Sequence, residues 1–285
     1  MIKVCHFTSV HKSHDVRILL KECKSLAKAG YDVSLIAVNA KEETVDGVKI
    51  ISVNDHGGGR IRRATVVCNK IYWKALEVNA DIYHFHDPEL LRIGNKLLRK
   101  KKKVIYDAHE DLPRQISGKS WIPKPIRSVA AFITERFENY YAARMSAVIT
   151  ATPFIAERFK KINSNTVDVN NFPILEEFEK SSLEKSGKEI CYIGGISKIR
   201  GIYELISALE KTNARLNLAG NFESTEVESD LKNLSGWRKV NYFGFVDRKK
   251  INEILNKSSA GAVTLYPQVN YLDSLPIKMF EYMAA

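Results

Sequence analysis

Ile2-Lys-Val-Cys-His-Phe7, then the stretch Val16 to Ala29, then Gly30, then Tyr31-Asp-Val-Ser-Leu-Ile-Ala-Val38 set a short β-branched run, a longer amphipathic stretch and a second β-branched run one after another. That succession is the pattern of a β-α-β unit. Leu19, Leu20, Cys23, Leu26 and Ala27 recur at helical spacing and mark the helix face laid against a sheet. Gly30 stands where a helix C-cap glycine belongs.

The same alternation continues outward. It predicts strands near 48–53, 82–85, 104–106, 147–150 and 166–169, with helices near 63–78, 126–144 and 153–161 between them. Between Asn170 and Lys188 it lapses into Asn-Asn-Phe-Pro and a charged, serine-containing stretch. A domain boundary is expected there, giving domains 1–174 and 175–285. The alternation then restarts, with strands expected at 189–193, 215–219, 240–243 and 261–265 and helices at 202–209, 225–234, 248–256 and 277–283. The expected class is α/β, two successive Rossmann-like domains, each a parallel sheet covered on both faces. Ligands in such sheets bind beyond the carboxyl ends of the strands.

The composition, 285 residues with 45% hydrophobic and 27% charged, is that of a globular chain rather than a disordered one. Cys5, Cys23, Cys68 and Cys191 lack CxxC spacing and read as reduced structural thiols. The chain starts on a strand with no charged leader before an apolar run, and no stretch approaches the ~20 apolar residues of a membrane span. A cytoplasmic protein is expected, peripheral at most at the inner face of the cell membrane. The net charge of +11 favours an anionic partner, partly through the run Lys96 to Lys103. A solvated helix end accounts for that run best, with contact to anionic lipid as the sharper alternative. Nucleic acid is not expected, because no RNA-binding motif or aromatic-basic platform accompanies the charge.

Cys191-Tyr-Ile-Gly194-Gly195-Ile-Ser-Lys198-Ile-Arg200-Gly201 ends a strand in two glycines and sets a basic residue before a helix. Glycines admit the close approach of diphosphate, helix amides donate to it and a guanidinium neutralises it. Taken alone, the segment fits an ordinary strand-to-helix turn equally well. It has neither GxGxxG nor GxxxxGK[ST] spacing, so neither a dinucleotide site nor a P-loop is supported. Gly220, the Phe245-Val246 loop and Asp273-Ser274-Leu275-Pro-Ile-Lys278-Met-Phe-Glu281 follow at later strand ends.

With these segments together, the chain resembles the family 4 retaining glycosyltransferases of GT-B architecture, two Rossmann-like domains facing across a cleft. The family's two signatures match Gly194 to Gly201 and Asp273 to Glu281. The resemblance implies transfer of a sugar from a nucleotide-diphosphate-sugar donor to a saccharide or lipid-linked acceptor with retention, in bacterial surface polysaccharide or glycolipid synthesis. It implies a UDP-sugar rather than a GDP-sugar, and no cofactor or metal. Asp273 takes the place of a glutamate near the donor sugar, and Glu281 that of the ribose-binding carboxylate. Ser274, Leu275 and Val246 would line the donor. Gly195 stands where many members carry arginine, so Arg200 becomes the principal phosphate ligand and a second cation must come from elsewhere. Lys198 is one candidate, a solvated loop lysine the plainer reading of it.

On the first domain the resemblance puts His109 of Ile105-Tyr-Asp-Ala-His109-Glu110 against the donor sugar, the alternative being a histidine capping a helix or bonded to a carbonyl. His86 and Asp87 match a cleft-lining pair. His14, Asp15 and Arg17 occupy the first strand-to-helix loop, in an acceptor or phosphate role or, for Asp15, as a plain helix N-cap. For a metal the residues offer little: HExxH is absent, and the HxH of His84 and His86 points both ends alike only if it stays in strand. The segment Trp121-Ile-Pro-Lys-Pro-Ile-Arg-Ser-Val-Ala-Ala-Phe-Ile133 mixes aromatics and cations and would suit a lipid-linked acceptor or pack on the domain's own core. Family chains continue past Ala285, so the second domain is expected to be incomplete and the stability of the chain weak. An inactive fragment that binds nucleotide or a protein partner is the alternative function.

Overall fold

The computed structural model describes residues 1–118, 122–178, 185, 187–268, 271–272 and 274–285. The chain divides into two compact units, Met1–Asn171 and Phe172–Ala285.

In the first unit, β1 (Lys3–Phe7), β2 (Asp32–Val38), β3 (Glu43–Val45), β4 (Val48–Val53), β5 (Ile82–Phe85), β6 (Lys103–Ala108), β7 (Ala147–Thr150) and β8 (Thr166–Asp168) form one sheet. Its order is β3-β4-β2-β1-β5-β6-β7-β8. Every described pairing is parallel except that of β3 with β4. The helices are α1 (residues 16–28), α2 (60–78), α3 (Leu91–Arg99), α4 (Leu112–Gly118), α5 (Lys124–Ala142) and α6 (Pro153–Lys160). Alternation along each strand sorts side chains between two cores. Val33 and Leu35 join Ile18, Leu19 and Cys23 of α1, whereas Cys5, Phe7, Ile36, Phe85 and Tyr106 join Ile71 of α2 and Leu97 of α3 on the other face. His6 and His84, each one residue from a phenylalanine of that second core, turn toward α1.

Two features of this unit depart from the sequence pattern. The β3 hairpin closes on Asp46-Gly47, both with positive φ, an Asp-Gly turn whose first strand, three residues long, is too short to register as alternation. The first part of α1, Val16–Cys23, winds as a π-helix. Residues five apart then lie nearly in line, which sets Arg17 and Glu22 on one face.

The second unit holds a four-stranded sheet, all its described pairings parallel, in the order β11-β10-β9-β12. Its strands are β9 (Glu189–Ile193), β10 (Arg215–Ala219), β11 (Val240–Gly244) and β12 (Ala260–Gly261), with helices α7 (Ile202–Leu209), α8 (Thr225–Lys232), α9 (Arg248–Lys257) and α10 (Ile277–Ala284). Tyr192, Ile202, Ile206, Leu216 and Leu218 fill one side of the sheet. Cys191, Ala219, Ile254 and Leu255 fill the other. The strand expected over 261–265 shortens to Ala260–Gly261. After Ala262 N–H donates to Cys191 O, the chain leaves β9: Thr264 Oγ1 donates to Arg200 O at 2.8 Å and Tyr266 N–H to Ile199 O at 3.0 Å. Bonds to the loop Ile199–Arg200 replace ladder bonds.

Candidate functional site

In the second unit the end of β9 and the start of α10 meet over Gly194 and Gly195. A Cβ on Gly194 would stand 3.1 Å from Lys278 Nζ and 3.8 Å from Arg200 Nη1, and one on Gly195 3.8 Å from Arg200 Nε. Two cations thus converge on one glycine pair. Lys278 Nζ donates to Tyr192 Oη at 2.8 Å and lies 4.0 Å from the centre of that ring, while Tyr192 Oη donates to Gly195 O at 2.8 Å. Burial, reinforced by Arg200, lowers the Lys278 amine to about 7, with Glu281 opposing the shift.

Two further glycines hold this loop by contact rather than by ligand approach. Gly220 has φ +142° and a Cβ there would sit 1.9 Å from Gly194 O, and at Gly201, with φ +67°, one would sit 2.0 Å from Thr264 O. Glu281 Oε1 accepts from Arg248 Nη1 at 2.7 Å, and Arg248 Nη2 donates to Glu177 Oε2 at 2.6 Å. Val246 packs beside the core of Cys191, Ala219 and Ile254, with Phe245 exposed ahead of it. Ser274 Oγ donates to Tyr271 O at 2.9 Å, and Leu275 is partly exposed. Asp273 lies outside the described residues. Lys198, in the turn Lys198–Arg200, is exposed.

In the first unit, the loops after β1, β5 and β6 bring charged groups together at the carboxyl end of the sheet. Asp107 is fully buried and accepts two bonds from Arg17, Nε to Oδ2 at 3.0 Å and Nη2 to Oδ1 at 2.9 Å. His86 Nδ1 lies 3.0 Å from Asp107 Oδ2. Burial opposes ionisation of Asp107, but the His86 hydrogen bond and Arg17 outweigh it and hold the carboxyl well below the usual range. His109 places Nδ1 3.8 Å from Asp107 Oδ2 and Nε2 3.2 Å from His11 Nε2. Burial lowers His109, whereas the hydrogen bond with Asp15 raises His11.

Asp15 caps α1, accepting from Arg17 N and Ile18 N at 2.9 and 3.0 Å. Although burial raises it, the His11 bond and these amides bring it to about 2. Asp87 is buried and accepts from Thr8 Oγ1 and Ser9 N at 2.7 and 2.6 Å, with His11 Nε2 3.5 Å from its other oxygen. Asp15, His86, Asp87 and His109 therefore share one neighbourhood. His14 does not belong to it: the ring is exposed, 3.6 Å from Glu43. His11 occupies the place the sequence reading gave to His14, since the turn that follows β1 curls His11 inward onto His109. Four groups of weight were missed. His11, Glu22 and His6 carry only the general signal of charge or imidazole inside an apolar pattern, and Lys278 sits in the second signature without a hint of where its amine points.

Residues 16–169 match the family described as Glycosyltransferase Family 4, and residues 174–285 match Glycosyl transferases group 1. The chain belongs to the family 4 (group 1) glycosyltransferases, and its two Rossmann-like units have the fold of GT-B enzymes. Among solved structures it is similar to sucrose-phosphate synthase from Thermosynechococcus elongatus, with TM-score 0.76 and 12% identity over 99% of this chain and 79% of that one. It is similar to HepE of Anabaena in complex with UDP and glucose, with TM-score 0.68 and 15% identity over 94% of this chain and 76% of that one. It is also similar to WaaG, a glycosyltransferase involved in lipopolysaccharide biosynthesis, with TM-score 0.69 and 11% identity over 100% and 79% of the two chains. Among curated proteins none matches the sequence.

Proposed function

We propose that the chain transfers a sugar from a nucleotide-diphosphate-sugar to a saccharide or lipid-linked acceptor, with retention, in bacterial surface polysaccharide or glycolipid synthesis. The observation that carries this reading is the convergence of Arg200 and Lys278 on Gly194 and Gly195. Two partly buried cations over a glycine pair suit a diphosphate, whose negative charge grows as the glycosidic bond to it breaks. Lys278 supplies the second cation that Gly195 leaves wanting. Anion binding relieves its repulsion with Arg200, so Lys278 becomes fully charged when the donor is seated.

Glu281, one oxygen held by Arg248, accepts from the two ribose hydroxyls through the other. Val246 lies beside the base, and Ser274 and Leu275 beside the phosphates. The family's donor-sugar roles are assigned to Asp273 and to His109, whose Nε2 lies 3.2 Å from His11 Nε2. No nucleophile is assigned. Retention follows from attack of the acceptor on the face the diphosphate leaves, with rate gained from positioning and leaving-group stabilisation. The acceptor-side role moves from His14 to His11, with Asp15, His86 and Asp87 behind it. UDP as the donor nucleotide draws on the likeness to HepE, solved with UDP and glucose. A surface-glycan setting draws on the likeness to WaaG.

Among the described residues no helix is long and apolar enough to cross a membrane. A lipid-facing surface is assigned to α5, where Ile126, Val129, Phe132, Ile133 and Tyr140 are exposed along a helix that also carries Lys124 and Arg136. Calorimetric titration with UDP-, GDP- and TDP-sugars, with and without EDTA, tests the donor reading. One nucleotide class should bind, unaffected by chelation, and Arg200→Ala should weaken it. Equal binding by wild type and Arg200→Ala, or loss of binding in EDTA, removes the reading.

A further inference from the structure

The buried imidazoles on the α1 face of the first sheet form a second constellation, joined through His86 and Asp107 to the cluster that holds His109. His6 on β1 and His84 on β5 are register partners in adjacent parallel strands, so their side chains leave the same face side by side. His86 follows two residues later, and its N–H donates to Phe7 O, which keeps the segment extended and returns its side chain to that face. Ring centres are 4.4 Å apart for His6 and His84, 4.7 Å for His84 and His86, and 5.2 Å for His6 and His86. The π-wound start of α1 lays Glu22 over them. Its Oε2 is 3.9 Å from His6 Nδ1, from His84 Nε2 and from His86 Nδ1.

One nitrogen of each imidazole and one Glu22 oxygen lie within 4.8 Å of one another. Ligands held at 2.0–2.1 Å around a tetrahedral ion stand about 3.4 Å apart, so small side-chain shifts close the set. His84 Nε2 is buried with no hydrogen-bond partner, and while Arg17 Nε ion-pairs with Glu22 Oε1 at 3.0 Å, Oε2, the oxygen nearest the imidazoles, accepts no hydrogen bond. Burying such atoms unpaired is costly, and a shared dication is the partner they have in common.

We propose that His6, His84, His86 and Glu22 bind one divalent transition-metal ion, zinc by its donor set. Three imidazoles and a carboxylate suit zinc over magnesium or calcium, which take oxygen ligands. The outer shell is already in place: His86 Nδ1 faces Asp107, which Arg17 clamps through both oxygens. With Nδ1–H given to Asp107, His86 turns Nε2 to the ion. That nitrogen now lies 3.0 Å from His6 Nδ1, a hydrogen bond that the ion replaces. Protein side chains fill all four positions, so the ion ties β1, β5 and α1 together and leaves no position open to substrate. The proposal does not rest on the sugar-transfer reading, and chelation of a closed site need not disturb donor binding.

The test uses the full chain, purified without a polyhistidine tag. It is stripped with chelator, refilled with Zn²⁺ or Co²⁺, passed through gel filtration and assayed for metal content and visible absorption. About one equivalent should remain, the Co²⁺ form should show the intense visible bands of a tetrahedral site, and refilling should raise the Tm. His84→Gln and Glu22→Gln should each lower metal content at least about tenfold, while His56→Ala, at an exposed position, keeps it. Should His84→Gln fail to fold, Glu22→Gln, which keeps the size and removes the charge, reads the same quantity. A refilled wild type that emerges without metal overturns the proposal, as does either cluster variant retaining a full equivalent.

Discussion

The two units handle buried charge in opposite ways. In the first, the carboxylates and the guanidinium answer one another: Arg17 takes both oxygens of Asp107, and His86 takes a third bond. In the second, like charges are brought together, Lys278 and Arg200 over the same glycine pair, and burial with Arg200 leaves Lys278 near 7. A cluster that neutralises itself holds a unit together. A pair that repels itself gains from an anion set between its members.

The largest effect expected is at the compensated cluster. Arg17→Met keeps the aliphatic stem but strands Asp107, fully buried, without its cation. Removing one partner of a buried pair costs about 3–5 kcal/mol, read as a lowered denaturant midpoint for the unfolding of the first unit. Arg17→Met combined with Asp107→Leu should recover part of that loss, because no charge is left unpaired. A cost below about 1 kcal/mol for Arg17→Met would put the pair on a par with a surface ion pair and dissolve the contrast between the units.

At the repelling pair, substitution should cost binding and leave stability nearly alone. Each cation makes charge-assisted bonds worth about 1.5–3 kcal/mol, so Arg200→Ala and Lys278→Ala should each weaken nucleoside-diphosphate binding roughly 10- to 100-fold with little change in Tm. Unchanged affinity in Lys278→Ala would return the second-cation role to another side chain.

A smaller effect comes from pH. Lys278 sits at about 7 without ligand and rises when an anion binds. The free protein therefore gives up this proton at lower pH than the complex does. Affinity is full below about pH 7 and falls as pH climbs from there toward the raised value in the complex, by at most about tenfold per pH unit. Titrations in buffers of different ionisation enthalpy should show proton uptake near pH 7.5, absent in Lys278→Met. Flat affinity between pH 6.5 and 9 would mean that the amine is not in contact with the phosphates.

The same contrast decides what could be read from sequence. Strands at 82–85, 147–150, 189–193 and 215–219 were legible to the residue, because runs covered on both faces of a parallel sheet are mostly apolar. The strand over 261–265 was overestimated, because its apolar residues turn aside to bond the Arg200 loop, a competition no local pattern records. Arg200 and Glu281 lie in linear signatures and can be singled out from the sequence. Lys278 lies in one too, but its convergence on Gly194 depends on the direction in which α10 starts. His6, Glu22 and His84 meet only through strand register and π winding, neither of which has a mark in the sequence.

The smallest effect on stability is expected where the first unit shows the reverse of its buried charges, an apolar face turned outward. On α5, Phe132 and Ile133 are 57% and 60% exposed, and Arg136 lies 5.1 Å from the Phe132 ring. Side chains that bury so little apolar area contribute little to folding. Phe132→Ser with Ile133→Ser should change unfolding free energy by no more than about 0.5 kcal/mol, while co-flotation with vesicles containing anionic lipid falls severalfold if α5 is the lipid contact. Each half of that result has a separate meaning. A stability loss above about 1 kcal/mol would show that the face is packed against protein in solution. Flotation that persists in the double variant would move the lipid contact to the basic run from Lys96 to Lys103, whose charge without apolar anchors should then let go as salt rises.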